Sequence, residues 1–176
     1  METNALRIAV PTATIIVARL HQHCTVAMLR SKKHGGRLVF PGGRLRIGEE
    51  DFLGCIVRES LEELNLDVSG LKLQPFALSS KPRRDVRMMG LAKYNEGHPV
   101  PAFLADAEAE AFFCCDQSFF VHVPDNTQLK GGEEGAPEWI DLTTLQPEDF
   151  GIDHGALAAA WIRWIKEAVR PKLGEL

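Results

Sequence analysis

A single α/β domain is the fold class this sequence predicts, and three observations carry the prediction. Runs rich in β-branched residues recur along the chain, one of them passes through a glycine turn into an amphipathic helical stretch, and another such stretch ends at Pro171. With 176 residues, 45% of them hydrophobic, the chain can bury one core of ordinary size, and the domain is expected to span residues 1–176.

In chain order, "LRIAVPTATIIVARL" and "CTVAMLR" read as two strands separated by the polar "HQH". After the basic loop "RSKKHGGR", the short run "LVF" is a strand ending at Pro41, and the Gly42-Gly43 pair beyond it permits a turn with unusual backbone angles. A helix is predicted from Asp51, its N-cap, to Leu64, with Leu53, Ile56, Val57, Leu61 and Leu64 on one apolar face. Later strands fall in "LKLQPFALSS" and "VRMMGLAKY", which flank the basic "KPRRD", and in "FFVHVP" and "PEWIDLTTL". The alanine- and tryptophan-containing "DHGALAAAWIRWIKEAVR" is the final helix. Within residues 95–118 the portion "ADAEAEAF" is compatible with a helical turn or two or with a mobile insertion.

Composition excludes several classes. A formal charge of -4 offers no basic field for nucleic acid, and no run of eighteen apolar residues or basic-then-apolar leader points to a membrane, so a cytoplasmic protein is expected. Cys24, Cys55, Cys114 and Cys115 lack metal or disulfide spacing and are expected to be buried free thiols. The six histidines also lack metal spacing, and Trp139, Trp161 and Trp164 are expected in the core or an interface.

The stretch "PGGRLRIGEEDFLGCIVRESLEELNL" carries the chemistry. At 100° per residue, Glu59, Glu62 and Glu63 share one wall of the helix, opposite its apolar stripe. Carboxylates at i, i+3 and i+4 repel one another, and a hard divalent cation such as Mg²⁺ removes the conflict. Since Mg²⁺ commonly sits between carboxylates and phosphates, a phosphate ester or anhydride is the expected substrate, with Arg58 orienting a carboxylate through a bidentate pair.

These residues resemble the box of the Nudix hydrolase family. That box reads glycine, five residues, glutamate, seven residues, Arg-Glu, an aliphatic residue, any residue, Glu-Glu, any residue, glycine and an aliphatic residue. "RESLEELNL" follows its second half, with Arg58, Glu59, Glu62 and Glu63 at the functional positions, and the leading "PGG" follows its first. Six residues separate Gly43 from Glu50, the glutamate with the right seven residues before Arg58, so the loop holds one extra residue, while Glu49 would leave eight residues before Arg58. Ser60 stands where an aliphatic residue is usual and Asn65 replaces the terminal glycine, a position asparagine tolerates in the left-handed conformation.

The resemblance implies an α/β/α sandwich with a mixed sheet and hydrolysis of a nucleoside diphosphate linked to another moiety, with Mg²⁺ or Mn²⁺ as cofactor. It implies Glu59, Glu62 and Glu63 as metal ligands and Glu50 as an auxiliary ligand or loop support, with Gly42 and Gly43 against substrate. Downstream, Pro82, "RRDVR" and "DFGIDHGAL" are similar to segments of ADP-ribose pyrophosphatases. Arg83, Arg84 and Arg87 are then candidates to bind phosphate or the terminal ribose, with a solvated hairpin as the rival reading. On the loop "KGGEEGAPEWIDL", Glu133 or Glu134 is a candidate catalytic base, with Glu62 or Glu63 in that role otherwise. His154 is the histidine this resemblance favours, beside a plain helix-start hydrogen bond.

The expected substrate is therefore ADP-ribose or a related nucleotide sugar. A nucleoside triphosphate or a GDP-sugar stays open, because residues 95–118 are candidates to line the pocket and follow no recognised pattern. A catalytically inactive nucleotide-binding regulatory module is the reading from another class. A homodimer is compatible with the resemblance, and the sequence defines no interface for one.

Overall fold

The computed structural model describes residues 6–46, 48–82, 109–132, 135–152 and 154–169. Among them lie seven strands and two α-helices: β1 (Leu6–Arg19), β2 (Thr25–Ser31), β3 (Arg37–Val39), β4 (Gly42–Arg44), α1 (Phe52–Leu64), β5 (Gln74–Pro82), β6 (Ala109–Val123), β7 (Pro137–Asp141) and α2 (His154–Trp164). A π turn over Ile165–Val169 continues α2.

The sheet is mixed. Its main path runs β3-β2-β1-β6-β5, with β4 also paired to β1 and β7 to β2. The long β1 and β6 run parallel, and every other pairing is antiparallel. Because side chains alternate along a strand, β1 serves two cores. Ala13, Ile15 and Val17 pack with Cys55, Ile56 and Leu64 of α1, whereas Ile16 and Ala18 pack with Phe120, Ala158 and Trp161 on the α2 side. The result is the expected α/β/α sandwich. Trp161 is fully buried, and a side chain of its size contributes on the order of 4–6 kcal/mol of apolar burial.

Local signals account for α1. Asp51 is extended and its carboxylate accepts from the Gly54 amide at 2.7 Å, a side-chain N-cap. Asn65 closes the helix in the left-handed region (φ 51°, ψ 40°), where its short polar side chain is tolerated.

Three expectations are corrected. The Gly42-Gly43 turn is instead the three-residue strand β4, which pairs antiparallel with Thr12–Thr14 of β1. The chain from Ala109 is strand rather than helix, because backbone pairing along β1 overrides the helical propensity of alternating alanine and glutamate. On α1, Leu53 and Leu61 are exposed at 44% and 51%, and the inward face carries Cys55, Ile56, Ser60, Glu63 and Leu64. The helix is thus rolled so that part of its acidic wall, with Ser60, meets the sheet. The strand expected over "VRMMGLAKY" lies outside the described residues.

Candidate active site

Arg58 organises the acidic wall of α1. Its Nε and Nη2 donate to Oε2 and Oε1 of Glu50 at 3.1 and 2.8 Å, the bidentate fork expected of guanidinium and carboxylate. Nη1 donates to Glu59 at 2.6 Å and to Glu62 at 3.2 Å, and Nη2 reaches the Arg44 carbonyl at 3.0 Å. The structure therefore selects Glu50 over Glu49 as the partner of Arg58, and the extra loop residue is accommodated before Glu50. The Arg46 amide donates to the same Glu50 carboxylate at 2.9 Å, so Glu50 ties the loop to the helix.

The two carboxylates that Arg58 grips most closely respond oppositely. The Arg58 hydrogen bond holds Glu50 below the usual carboxylate range. Burial pushes Glu59 above it, against the opposing pull of Arg58. Nearby, burial raises the Cys55 thiol to about 12, an inert side chain rather than a nucleophile. Cys24, Cys55 and Cys115 are in no disulfide, and of these three Cys55 alone is fully buried.

β4 sets the approach of the sheet to this wall. Gly42 (φ 151°) donates its amide to Glu63 Oε2 at 3.0 Å, and a Cβ there would strike the Ala13 carbonyl. A Cβ on Gly43 would overlap the Glu59 carboxyl group. Hence both glycines let backbone approach carboxylate. The loop toward Glu133 and Glu134 departs beside the same helix, with the Lys130 amide donating to the Leu64 carbonyl at 3.2 Å. Glu133 and Glu134 themselves, like Arg83, Arg84 and Arg87, lie outside the described residues.

Gly42, Gly43 and Glu63 open into a cavity of about 330 Å³ that reaches across the sheet to α2. That volume is at the lower end for small-molecule pockets. His154 lines it, accepting at Nδ1 from the Phe40 amide at 2.8 Å, so the helix-start hydrogen bond and the pocket position coexist. The floor is a polar cluster that sequence reasoning missed. Asp116 Oδ1 accepts from Thr12 and Thr14 at 2.8 and 2.9 Å, and Oδ2 accepts from Ser118 at 2.9 Å. A signal existed: Thr12 and Thr14 share the β1 face of Ile16, and Asp116 and Ser118 the β6 face of Phe120, so two strands break their apolar alternation at one end.

The chemistry of the wall suits a hard cation. Its donors are carboxylate oxygens on one helix, and Glu59 bears a desolvation cost that a positive charge would relieve. In this conformation Arg58 Nη1 binds both Glu59 and Glu62 while the Gly42 amide binds Glu63, and among the described residues no group of three His, Cys, Asp or Glu side chains is placed to hold one ion. No described helix is long and apolar enough to cross a membrane.

A NUDIX domain model matches residues 9–161. The chain belongs to the Nudix family. Members act on nucleoside diphosphate derivatives and generally use divalent metal ions. Among solved structures, the E. coli dihydroneopterin triphosphate pyrophosphohydrolase superposes with a TM-score of 0.63 at 15% identity, over 90% of this chain and 96% of the other. MutT from Aliivibrio salmonicida and Vibrio cholerae gives 0.56 at 18% identity, over 88% and 98%. The NUDIX domain of Shewanella oneidensis NrtR, complexed with ADP ribose, gives 0.59 at 12% identity, over 91% and 89%. At these identities the likeness establishes the Nudix fold and not a substrate. No curated protein matches the chain.

Proposed function

We propose that this Nudix domain, taken as one unit over residues 1–176, is a pyrophosphohydrolase that cleaves a nucleoside diphosphate linked to another moiety. The observation that carries the reading is the Arg58-organised wall of Glu50, Glu59 and Glu62, with Glu63 and the Gly42-Gly43 strand opening into the cavity beside it. Glu59, Glu62 and Glu63 are the ligand set for Mg²⁺, or Mn²⁺ in its place, and Glu50 braces the loop through Arg58. A cation held there supplies neutralisation of the charge that develops on the phosphate oxygens. The chain itself positions the carboxylates, keeps Arg58 charged between them and contributes the general base, for which Glu133 and Glu134 or Glu62 and Glu63 are the candidates.

The substrate of this reading is ADP-ribose or a related nucleotide sugar. It rests on Pro82, the arginines Arg83, Arg84 and Arg87, and "DFGIDHGAL", together with the ADP-ribose complex of one structural neighbour. Neighbours named for dihydroneopterin triphosphate and for Ap4A favour keeping triphosphates and other dinucleotides beside it.

The test is monophosphate release, with Mg²⁺, from ADP-ribose, NADH, GDP-mannose, diadenosine polyphosphates and nucleoside triphosphates. Wild type is compared with Glu62→Gln/Glu63→Gln. Cleavage of ADP-ribose to AMP and ribose 5-phosphate, lost in the double variant, supports the full reading. Preference for another compound retains the hydrolase and discards the ADP-ribose assignment, and no turnover of any compound makes a binding module the better reading.

A further inference from the structure

The geometry points to Asp116 as the residue that selects the base of the nucleotide, by accepting a hydrogen bond from a ring N–H or exocyclic amino group. This inference rests on the cavity being the nucleotide site and adds to it the group that reads the base.

The argument starts from donor and acceptor counting. Thr12, Thr14 and Ser118 each spend their single hydroxyl proton on Asp116. What Asp116, Thr12, Thr14 and Ser118 still offer a ligand is therefore acceptors alone, with the Ser79 hydroxyl beside them in the lining. A carboxylate has about four acceptor sites, and with two used on Oδ1 and one on Oδ2, the remaining one is on Oδ2. Among the described residues the partners of Asp116 are all hydroxyls, with no lysine, arginine or histidine to compete for that site. Sheet register makes the arrangement rigid: Thr12 faces Asp116 and Thr14 faces Ser118 across the parallel β1/β6 pair, while Ser79 of β5 faces Asp116 from the other side.

The shape of the cavity narrows the ligand chemistry. Opposite the polar floor, Ala156, Leu157 and Ala160 of α2 and Ile152 line it with short or apolar side chains, a slot that suits the face of a flat heterocycle. A sugar hydroxyl can also donate to a carboxylate, so it is the flat, largely apolar slot that favours a base, whose amino group or ring N–H brings only donors to Asp116. The same cavity holds Glu63 and Gly42, so a base seated on Asp116 leaves the rest of the nucleotide toward the acidic helix.

The experiment is titration calorimetry of the full chain with GMP, AMP and purine riboside 5′-monophosphate, the last having neither an amino group nor a ring N–H. Wild type is expected to bind GMP or AMP at least about tenfold more tightly than the purine riboside, the scale of one hydrogen bond to a charged group. In Asp116→Asn, which keeps size and shape while replacing one acceptor by a donor, that preference should vanish with the unfolding temperature little changed. Equal binding of all three ligands by wild type, absence of binding, or an equal loss for all three in Asp116→Asn would overturn the assignment. Should the variant fail to fold, the wild-type comparison decides alone. None of these readouts needs turnover, so the base assignment and the hydrolase reading can fail separately.

Discussion

Replacing Arg58 by alanine is the perturbation with the largest expected effect on α1. Arg58 and its partners Glu50 and Glu59 are only 17%, 12% and 12% exposed at their side chains, so solvent screens the array weakly. Arg58→Ala leaves two largely buried carboxylates without their cation, a loss of about 3–5 kcal/mol where one partner of a buried pair is removed. The Glu62 contact adds little, since Glu62 is 47% exposed and such pairs contribute about 0–1 kcal/mol. For a domain of this size the melting temperature should fall by roughly 6–20 °C. The assay is urea and thermal unfolding in the presence of a chelator, with Arg46→Ala as control, because its 3.6 Å pair with Glu62 is exposed on both sides and should contribute under about 1 kcal/mol. Equal effects of the two substitutions would refute the reasoning.

The pH dependence of the same array carries a sign. Glu50 is held below its unfolded value of 4.5, so its contribution is fully present above that pH and is lost as pH falls through the folded value. Glu59 is raised, so its ionisation costs stability as pH rises above 4.5 through its folded value. In chelator, Glu50→Gln should therefore flatten the acid limb of the stability profile. Glu59→Gln should remove a cost near neutrality. A profile unaltered by either substitution would contradict both assignments.

Other predictions follow from burial and close approach. Ser60 is fully buried with no hydrogen-bond partner for its hydroxyl among the described residues, so Ser60→Ala should raise stability by about 1 kcal/mol, read from denaturant midpoints. Leu61→Lys should change stability by no more than about 0.5 kcal/mol, whereas Trp161→Ala should cost about 3–5 kcal/mol; similar costs would place Leu61 back on the packed face. Gly43→Ala puts a methyl group where the flexible end of Glu59 lies, so the carboxyl group shifts and stability should fall by no more than about 1 kcal/mol, while hydrolysis of whichever substrate wild type cleaves should drop.

The sequence by itself determined what neighbouring residues can encode. Asp51 and Asn65 mark the ends of α1 through local capping geometry, the i, i+3, i+4 spacing puts Glu59, Glu62 and Glu63 on one wall, and alternation marks most of the strands. The roll of α1 was a matter for the tertiary structure. Which side of an amphipathic helix is buried depends on what lies beneath it, and contact with β4 and β1 brings Ser60 and Glu63 inward while Leu53 and Leu61 stay outside. Spacing from Arg58 favoured Glu50 over Glu49, and the bidentate contact realises that choice. The Asp116 cluster was the least legible part. Its carboxylate meets Thr12 and Thr14 across 104 and 102 residues, and only the parallel register of β1 on β6 brings those hydroxyls to it. Local backbone preferences are written in adjacent residues, but a contact over such separations exists only once a particular sheet register has formed.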